Sequence, residues 1–144
     1  MNKKLEDYEF YHDKTGGNYL GKGSYGCVRL VRDKQTDVKY ALKILSKESI
    51  FESKTQDVLK REVKIQKKLD HPHICKLHHC FEDKDNVYLV LEYAENGSLF
   101  HYLQRRDQPL CESEAFIFFF STCLGIDFLH KKNIIHRDLK VYFY

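Results

Sequence analysis

Two stretches of the chain carry residue types suited to phosphate chemistry. In GKGSYGCV, residues 21–28, Gly21, Gly23 and Gly26 follow a G-x-G-x-x-G spacing. Such glycines let backbone N–H groups approach a phosphate without a Cβ in the way. A dinucleotide-binding loop would need a helix after the glycines and an acid about 20 positions on. Here a strand pattern follows, and Ala41 and Lys43 occupy that region. A P-loop would match at Gly16, Gly21 and Lys22, but Gly23 stands where the magnesium-binding hydroxyl belongs. What remains is a hairpin folded over nucleotide phosphates, or a glycine-rich hairpin that holds no ligand.

The second stretch pairs a lysine with a glutamate. Lys43 lies in ALKIL, a segment suited to burial, and could also be a lysine on an exposed strand face. In TQDVLKREVKIQKKL, residues 55–69, Val58, Glu62, Ile65 and Leu69 recur at helical spacing. Glu62 therefore falls inside the apolar stripe. A carboxylate there needs a cation, because an unpaired buried charge costs on the order of several kcal/mol. Lys43, on the same strand face as Ala41, is the nearest candidate, the alternative being a solvated Glu62 on a rotated helix.

These groups need elements to hold them. NYLGKG and GCVRLVRD read as strands about a glycine turn, followed by a third strand, DVKYALKIL. Alternation puts Val38, Tyr40, Leu42 and Ile44 on one side and Lys39, Ala41 and Lys43 on the other. The helix over about 55–69 is expected to open on a capping box between Ser53 and Gln56 and to stop before Pro72. CKLHHCF and NVYLVLEY add two strands around an EDKD turn. A short helix is expected near 98–106 and a long one from about 112 to 131. This order implies an α+β lobe joined to a helical one, with Gly97 as a hinge. It divides the chain into an extension (1–17), a sheet-bearing lobe (18–94) and a helical part (95–144).

Composition narrows the classes. The 24 Lys+Arg against 21 Asp+Glu leave +3, too mild to argue for nucleic acid. Lys60, Arg61, Lys64, Lys67 and Lys68 cluster at helical spacing, as a solvated helix face or a docking patch. MNKKLEDYEF has no apolar run after its lysines, so no secretory leader is expected. AFIFFFSTCLGIDFL (115–129) is too short for a membrane span and contains Asp127. Five cysteines without framework spacing point to free thiols and an intracellular chain, in cytoplasm or nucleus.

YALK (40–43) resembles the third-strand lysine motif of protein kinases, with Glu62 as its helix partner. KKLDHPHICKLHHCF and VYLVLEYAENGSL resemble the stretch from that helix to the hinge, and KNIIHRDLK resembles the catalytic loop. The likeness runs from about Leu20 to Lys140. REVKIQKKLDHPHI, VYLVLEYA and Gln66 resemble Aurora-type and neighbouring serine/threonine kinases in particular.

The resemblance implies an α+β fold: a five-stranded antiparallel small lobe with one long helix, then the first helices of a helical lobe. It implies ATP, with Mg²⁺, and a protein Ser/Thr substrate. Leu20, Val28 and Ala41 would enclose the adenine, with Leu91 at the back and backbone groups of Glu92 and Ala94 on its edge. Gly21, Gly23 and Gly26 would cover the phosphates, while Lys43, oriented by Glu62, would hold the α- and β-phosphates. Asp138 would accept the substrate hydroxyl's proton and Lys140 would steady the transferring phosphoryl. HRDLK favours Ser/Thr over Tyr. His136 would pack in the core and Arg137 would answer an activation-loop phosphate.

The chain also departs from the family. After HRDLK the family continues Pro-Glu-Asn, whose Asn binds magnesium, but Val141, Tyr142, Phe143 and Tyr144 stand here. Without magnesium ligands, little turnover is expected from these residues alone. The alternative is a non-catalytic nucleotide-binding or interaction module. The apolar segment 115–129 predicts a covering partner; neither nucleic acid nor membrane is expected as one. His71, His73, Cys75, His78, His79 and Cys80 are dense donors, but they lack paired ligand spacing and alternation splits His78 from His79. No metal is assigned to them.

Overall fold

In the computed structural model, residues 3–12, 17–23 and 25–140 are described. Six strands make one antiparallel sheet: β1 (Tyr8–Phe10), β2 (Tyr19–Gly23), β3 (Gly26–Asp33), β4 (Lys39–Ser46), β5 (Leu77–Glu82) and β6 (Asn86–Glu92). Their order is β1-β3-β4-β6-β5, with β2 also paired to β3. The sheet has one strand more than the five expected, because Tyr8–Phe10 pairs with Val31–Asp33. Three residues hold too little alternation to announce a strand.

Alternation along β4 divides the core in two. Tyr40 and Ile44 pack against a buried cluster of Tyr8, Val31, Leu42, Tyr88 and Val90 on one face. On the other, Leu45, Leu77 and Leu89 pack with Ile50 of α1 (Lys47–Glu52) and with Leu59 and Val63 of α2 (Gln56–Gln66). Val38 lies outside the strand and is exposed.

The junction of α1 and α2 differs from expectation. Ser46 caps an unexpected helix, α1, accepting the Ser49 N–H at 3.3 Å. Ser53 ends α1 instead of opening α2, its hydroxyl donating to the Ser49 carbonyl at 2.8 Å, and Thr55 is the N-cap of α2. Lys54 lies between them at φ +53°, with its N–H on the Phe51 carbonyl and the Thr55 N–H on Ile50. That left-handed cap favours glycine. Lys54→Gly should raise stability by about 0.5–1 kcal/mol, read as a higher denaturant midpoint.

Contacts separate the chain into two units: Met1–Leu69 with Lys76–Tyr93, and Asp70–Cys75 with Ala94–Tyr144. The second holds α3 (Leu99–Gln104) and α4 (Glu112–Lys131). Ser98 caps α3, accepting the His101 N–H at 3.3 Å. Arg106 donates to both carboxylate oxygens of Glu114, at 2.8 and 2.9 Å. Glu114 also accepts the Cys111 N–H at 3.1 Å, which closes the first turn of α4. The Cys111 N–H and Arg106 hold the Glu114 carboxyl below the usual carboxylate range.

Within α4 only Gly125 and Leu129 are buried, while Phe116, Ile117 and Phe119 are 60%, 62% and 68% exposed. Its 20 residues exceed the apolar stretch read from sequence. Among the described residues it is the one helix long and apolar enough to cross a membrane, a criterion that core helices of soluble proteins also meet.

Candidate nucleotide site

The first unit gathers most of the predicted nucleotide residues through strand register. Directly opposed residues of an antiparallel pair share a face. Gly21 opposes Val28 and Val28 opposes Lys43, which in turn opposes Leu89. One step along, Leu30 opposes Ala41 and Ala41 opposes Leu91. Gly21, Val28, Ala41, Lys43 and Leu91 therefore lie on one face, shared with the cluster that packs under α1 and α2. Val28, Ala41, Lys43 and Leu91 are each half-buried. Leu20 sits where the β2–β3 register shifts, between Tyr19 and Gly21.

Gly23 opposes Gly26 at the hairpin end. A Cβ on Gly23 would find Gly26 O at 4.0 Å, whereas one on Gly26 would come within 1.8 Å of Ile44 O. The third glycine is thus required by the approach of β3 to β4, independently of any phosphate.

Glu62 departs from the sequence reading. It is exposed on α2, and Val58 beside it is 55% exposed. The side of α2 that packs on the sheet is the row of Leu59 and Val63, displaced by one position from the row containing Glu62. Both rows carry apolar residues, and periodicity alone chose the wrong one. Among the ion pairs of the described residues, none joins Lys43 to Glu62.

At the end of the sheet, the Glu92 N–H donates to the Lys76 carbonyl at 2.9 Å. In the second unit, the Ala94 carbonyl accepts the Gly97 N–H at 3.0 Å, where Gly97 takes φ +72°. The HRDLK segment follows α4 without regular structure, after a left-handed turn at Asn133 (φ +58°). Its Lys140 ammonium donates to Asp138 Oδ2 at 3.0 Å, and the Asp138 N–H donates to His136 Nδ1 at 3.3 Å. Arg137, between them, has φ +65°. His136 is exposed here, not packed in a core.

Sequence reading also missed a cleft of about 480 Å³ in the first unit, floored by Ile50, Leu59, Val63 and Val87, with Lys47 at its edge. Lys47 donates to Glu82 at 3.0 Å. Burial pushes the Cys80 thiol in this cleft upward. Only the Ser46-x-x-Ser49 cap could have announced α1, and hence the cleft.

Residues 15–142 match the family described as the protein kinase domain. The chain belongs to the protein kinase family. This kinase-family chain is 40% identical over 139 residues to an Aurora kinase of Yarrowia lipolytica, covering 96% of the chain and 36% of that relative. It is 39% identical over 136 residues to an Aurora kinase of Saccharomyces cerevisiae, covering 94% of the chain and 35% of the relative. A probable serine/threonine-protein kinase PLK of Dictyostelium discoideum is 34% identical over 139 residues, covering 96% of the chain and 14% of that protein. The chain thus spans about a third of the length of the Aurora kinases it matches.

Proposed function

We propose that this kinase-family chain binds ATP on the inner face of its sheet and serves phosphoryl transfer to protein Ser/Thr residues. The observation that carries the reading is the cross-strand row Gly21–Val28–Lys43, with Ala41 and Leu91 one step along. A half-buried lysine on a face of apolar neighbours, beside a glycine hairpin, fits an adenine with a phosphate tail. Leu20, Val28, Ala41 and Leu91 would supply the apolar walls, and Glu92 and Ala94 the backbone edge. Lys43 would hold the α- and β-phosphates under Gly21, Gly23 and Gly26. Bound ATP, with Mg²⁺, supplies the γ-phosphoryl group. Asp138 would take the proton of the substrate hydroxyl, and Lys140, already beside it, would offset charge on the transferred group. A protein of this kind works inside the cell.

The exposure of Glu62 favours a second reading, in which this arrangement binds nucleotide without turning it over. Titration with a fluorescent ATP analogue tests the binding. Lys43→Met should weaken affinity about tenfold or more, since it deletes a charge-assisted phosphate contact. Equal affinity in the two chains would sink the assignment of Lys43. A Ser/Thr peptide phosphorylation assay then separates the two readings.

A further inference from the structure

One asparagine of the chain stands where the backbone next to it can attack its side chain. Of the five asparagines only Asn96 precedes a glycine, Gly97. Both residues are exposed, on the turn that follows β6 and leads into α3. The Gly97 N–H closes this turn by donating to the Ala94 carbonyl at 3.0 Å. Gly97 takes φ +72°, and nothing lies within 4 Å of the place where a Cβ would stand. The next residue differs: Ser98 is buried at 2% exposure, with its hydroxyl on His101 Nδ1 at 2.9 Å. Asn18 is half-buried and accepts the Arg29 guanidinium at 2.7 Å. Asn86 lies in β6, with its amide donating to the Tyr88 hydroxyl at 3.4 Å. Asn133 precedes the β-branched Ile134, whose N–H donates to the Leu129 carbonyl at 3.0 Å.

An asparagine carboxamide can close a five-membered ring on the following peptide nitrogen. Here the Gly97 nitrogen, having lost its proton to solvent, would attack Asn96 Cγ. The N–Cγ bond forms, the Cγ–Nδ2 bond breaks, and ammonia leaves with a proton returned from solvent. Water then opens the ring. Breaking the N–Cγ bond gives aspartate, whereas breaking the bond to the main-chain carbonyl carbon of residue 96 gives isoaspartate, with Gly97 linked through the former side chain. Water is the only co-reactant, and nothing is oxidised or reduced. Glycine favours the attack, because no Cβ crowds the nitrogen and the backbone can rotate into position. The hydrogen bond to Ala94 holds that nitrogen back, but a surface turn of this kind belongs to the parts of a fold that open at small cost. Once the ring closes, Gly97 has no N–H, and the turn has lost the bond that closed it.

We propose that Asn96 is a self-modification site, converting through a succinimide with Gly97 to isoaspartate and aspartate, and that the isoaspartyl form releases the turn before α3. The isoaspartyl main chain is longer by one carbon between Ala94 and Gly97, so the returning Gly97 N–H no longer meets the Ala94 carbonyl. The inference is independent of nucleotide binding.

Peptide mapping by mass spectrometry, on the full chain held at neutral pH and body temperature, reads the conversion. Product at Asn96 should accumulate about tenfold faster than at Asn18, Asn86 or Asn133, since only residue 97 lacks a Cβ. A rate at Asn96 no greater than at those three overturns the proposal. The same chain in concentrated urea gives the rate without the turn. The folded chain should come within about tenfold of it, because the turn opens at small cost; stronger protection overturns the site in the folded protein. Asn96→Gln, which would have to close a larger ring, supplies an aged chain without the modification. Hydrogen exchange at the Gly97 amide should be faster in the isoaspartyl parent than in aged Asn96→Gln, and equal exchange overturns release of the turn.

Discussion

Gly26→Ala should unfold the glycine hairpin from the sheet and lower stability by about 3 kcal/mol, at the upper end of overpacking penalties. The added methyl would sit 1.8 Å from Ile44 O, 2.9 Å from Ile44 C and 3.2 Å from Leu45 Cα. All three are main-chain atoms, so no rotamer change relieves the clash. Nor can β3 move away cheaply. Gly26 and Cys27 are in register with Leu45 and Ile44, and the Ser46 N–H donates to the Tyr25 carbonyl at 3.0 Å. Gly23→Ala is the matched control, because its Cβ would have its nearest neighbour at 4.0 Å. Denaturant unfolding should show a large loss for Gly26→Ala and under about 1 kcal/mol for Gly23→Ala. Comparable midpoints for the two variants would contradict the packing account. If the hairpin covers phosphates as proposed, Gly23→Ala should instead show its effect in nucleotide affinity.

Asp33→Ala should release two structures at once, the β3–β4 turn and the N-terminal segment. The carboxylate is buried at 2% exposure, yet three donors meet it. Oδ1 accepts the Gln35 and Thr36 N–H groups at 2.9 and 3.1 Å, and Oδ2 accepts the Lys3 ammonium at 2.7 Å. Burial alone would raise the Asp33 carboxyl; the hydrogen bonds from Lys3, Gln35 and Thr36 outweigh it and hold the group below its usual range. Truncation leaves those donors without an acceptor, a loss on the order of 2–4 kcal/mol.

The pH dependence has a definite sign. A depressed carboxyl contributes stability that is present above its unfolded value, about 3.9, and is lost as pH falls through the lower folded value. Acid unfolding curves should therefore lose part of their slope below about pH 4 in Asp33→Asn, while the neutral-pH midpoint also drops. An acid limb identical to that of the parent chain would show that other carboxylates set it.

The sequence was most informative where chemistry and local pattern coincide. The glycine spacing, the strand holding Lys43 and the HRDLK segment were read directly, and they identified the family before any contact was known. The strands flanking Asp83–Asp85 were equally legible as apolar runs about a polar turn, α3 through its capping Ser98, and α4 as a long apolar run opened by Glu114 on the Cys111 N–H. Three features were not. β1 is too short to show alternation and becomes a strand only because Val31–Asp33 offers it an edge. α1 hides within a polar run, and burial of Ile50 beneath the sheet selects it.

Glu62 is the instructive case. Two adjacent rows of α2 are apolar, 58–65 (continued by Leu69 beyond the helix) and 59–63, and their order along the chain cannot say which one meets the sheet. Packing chose the row of Leu59 and Val63, which turned Glu62 outward. Likewise, G-x-G-x-x-G showed a loop able to approach phosphate, but only the nearness of β3 to the Ile44 carbonyl made Gly26 indispensable to the fold. Residue type and period, local properties, sufficed for the family and the candidate chemistry. The rotation of a helix and the closeness of two main chains depend on residues distant in sequence, so tertiary packing decided them.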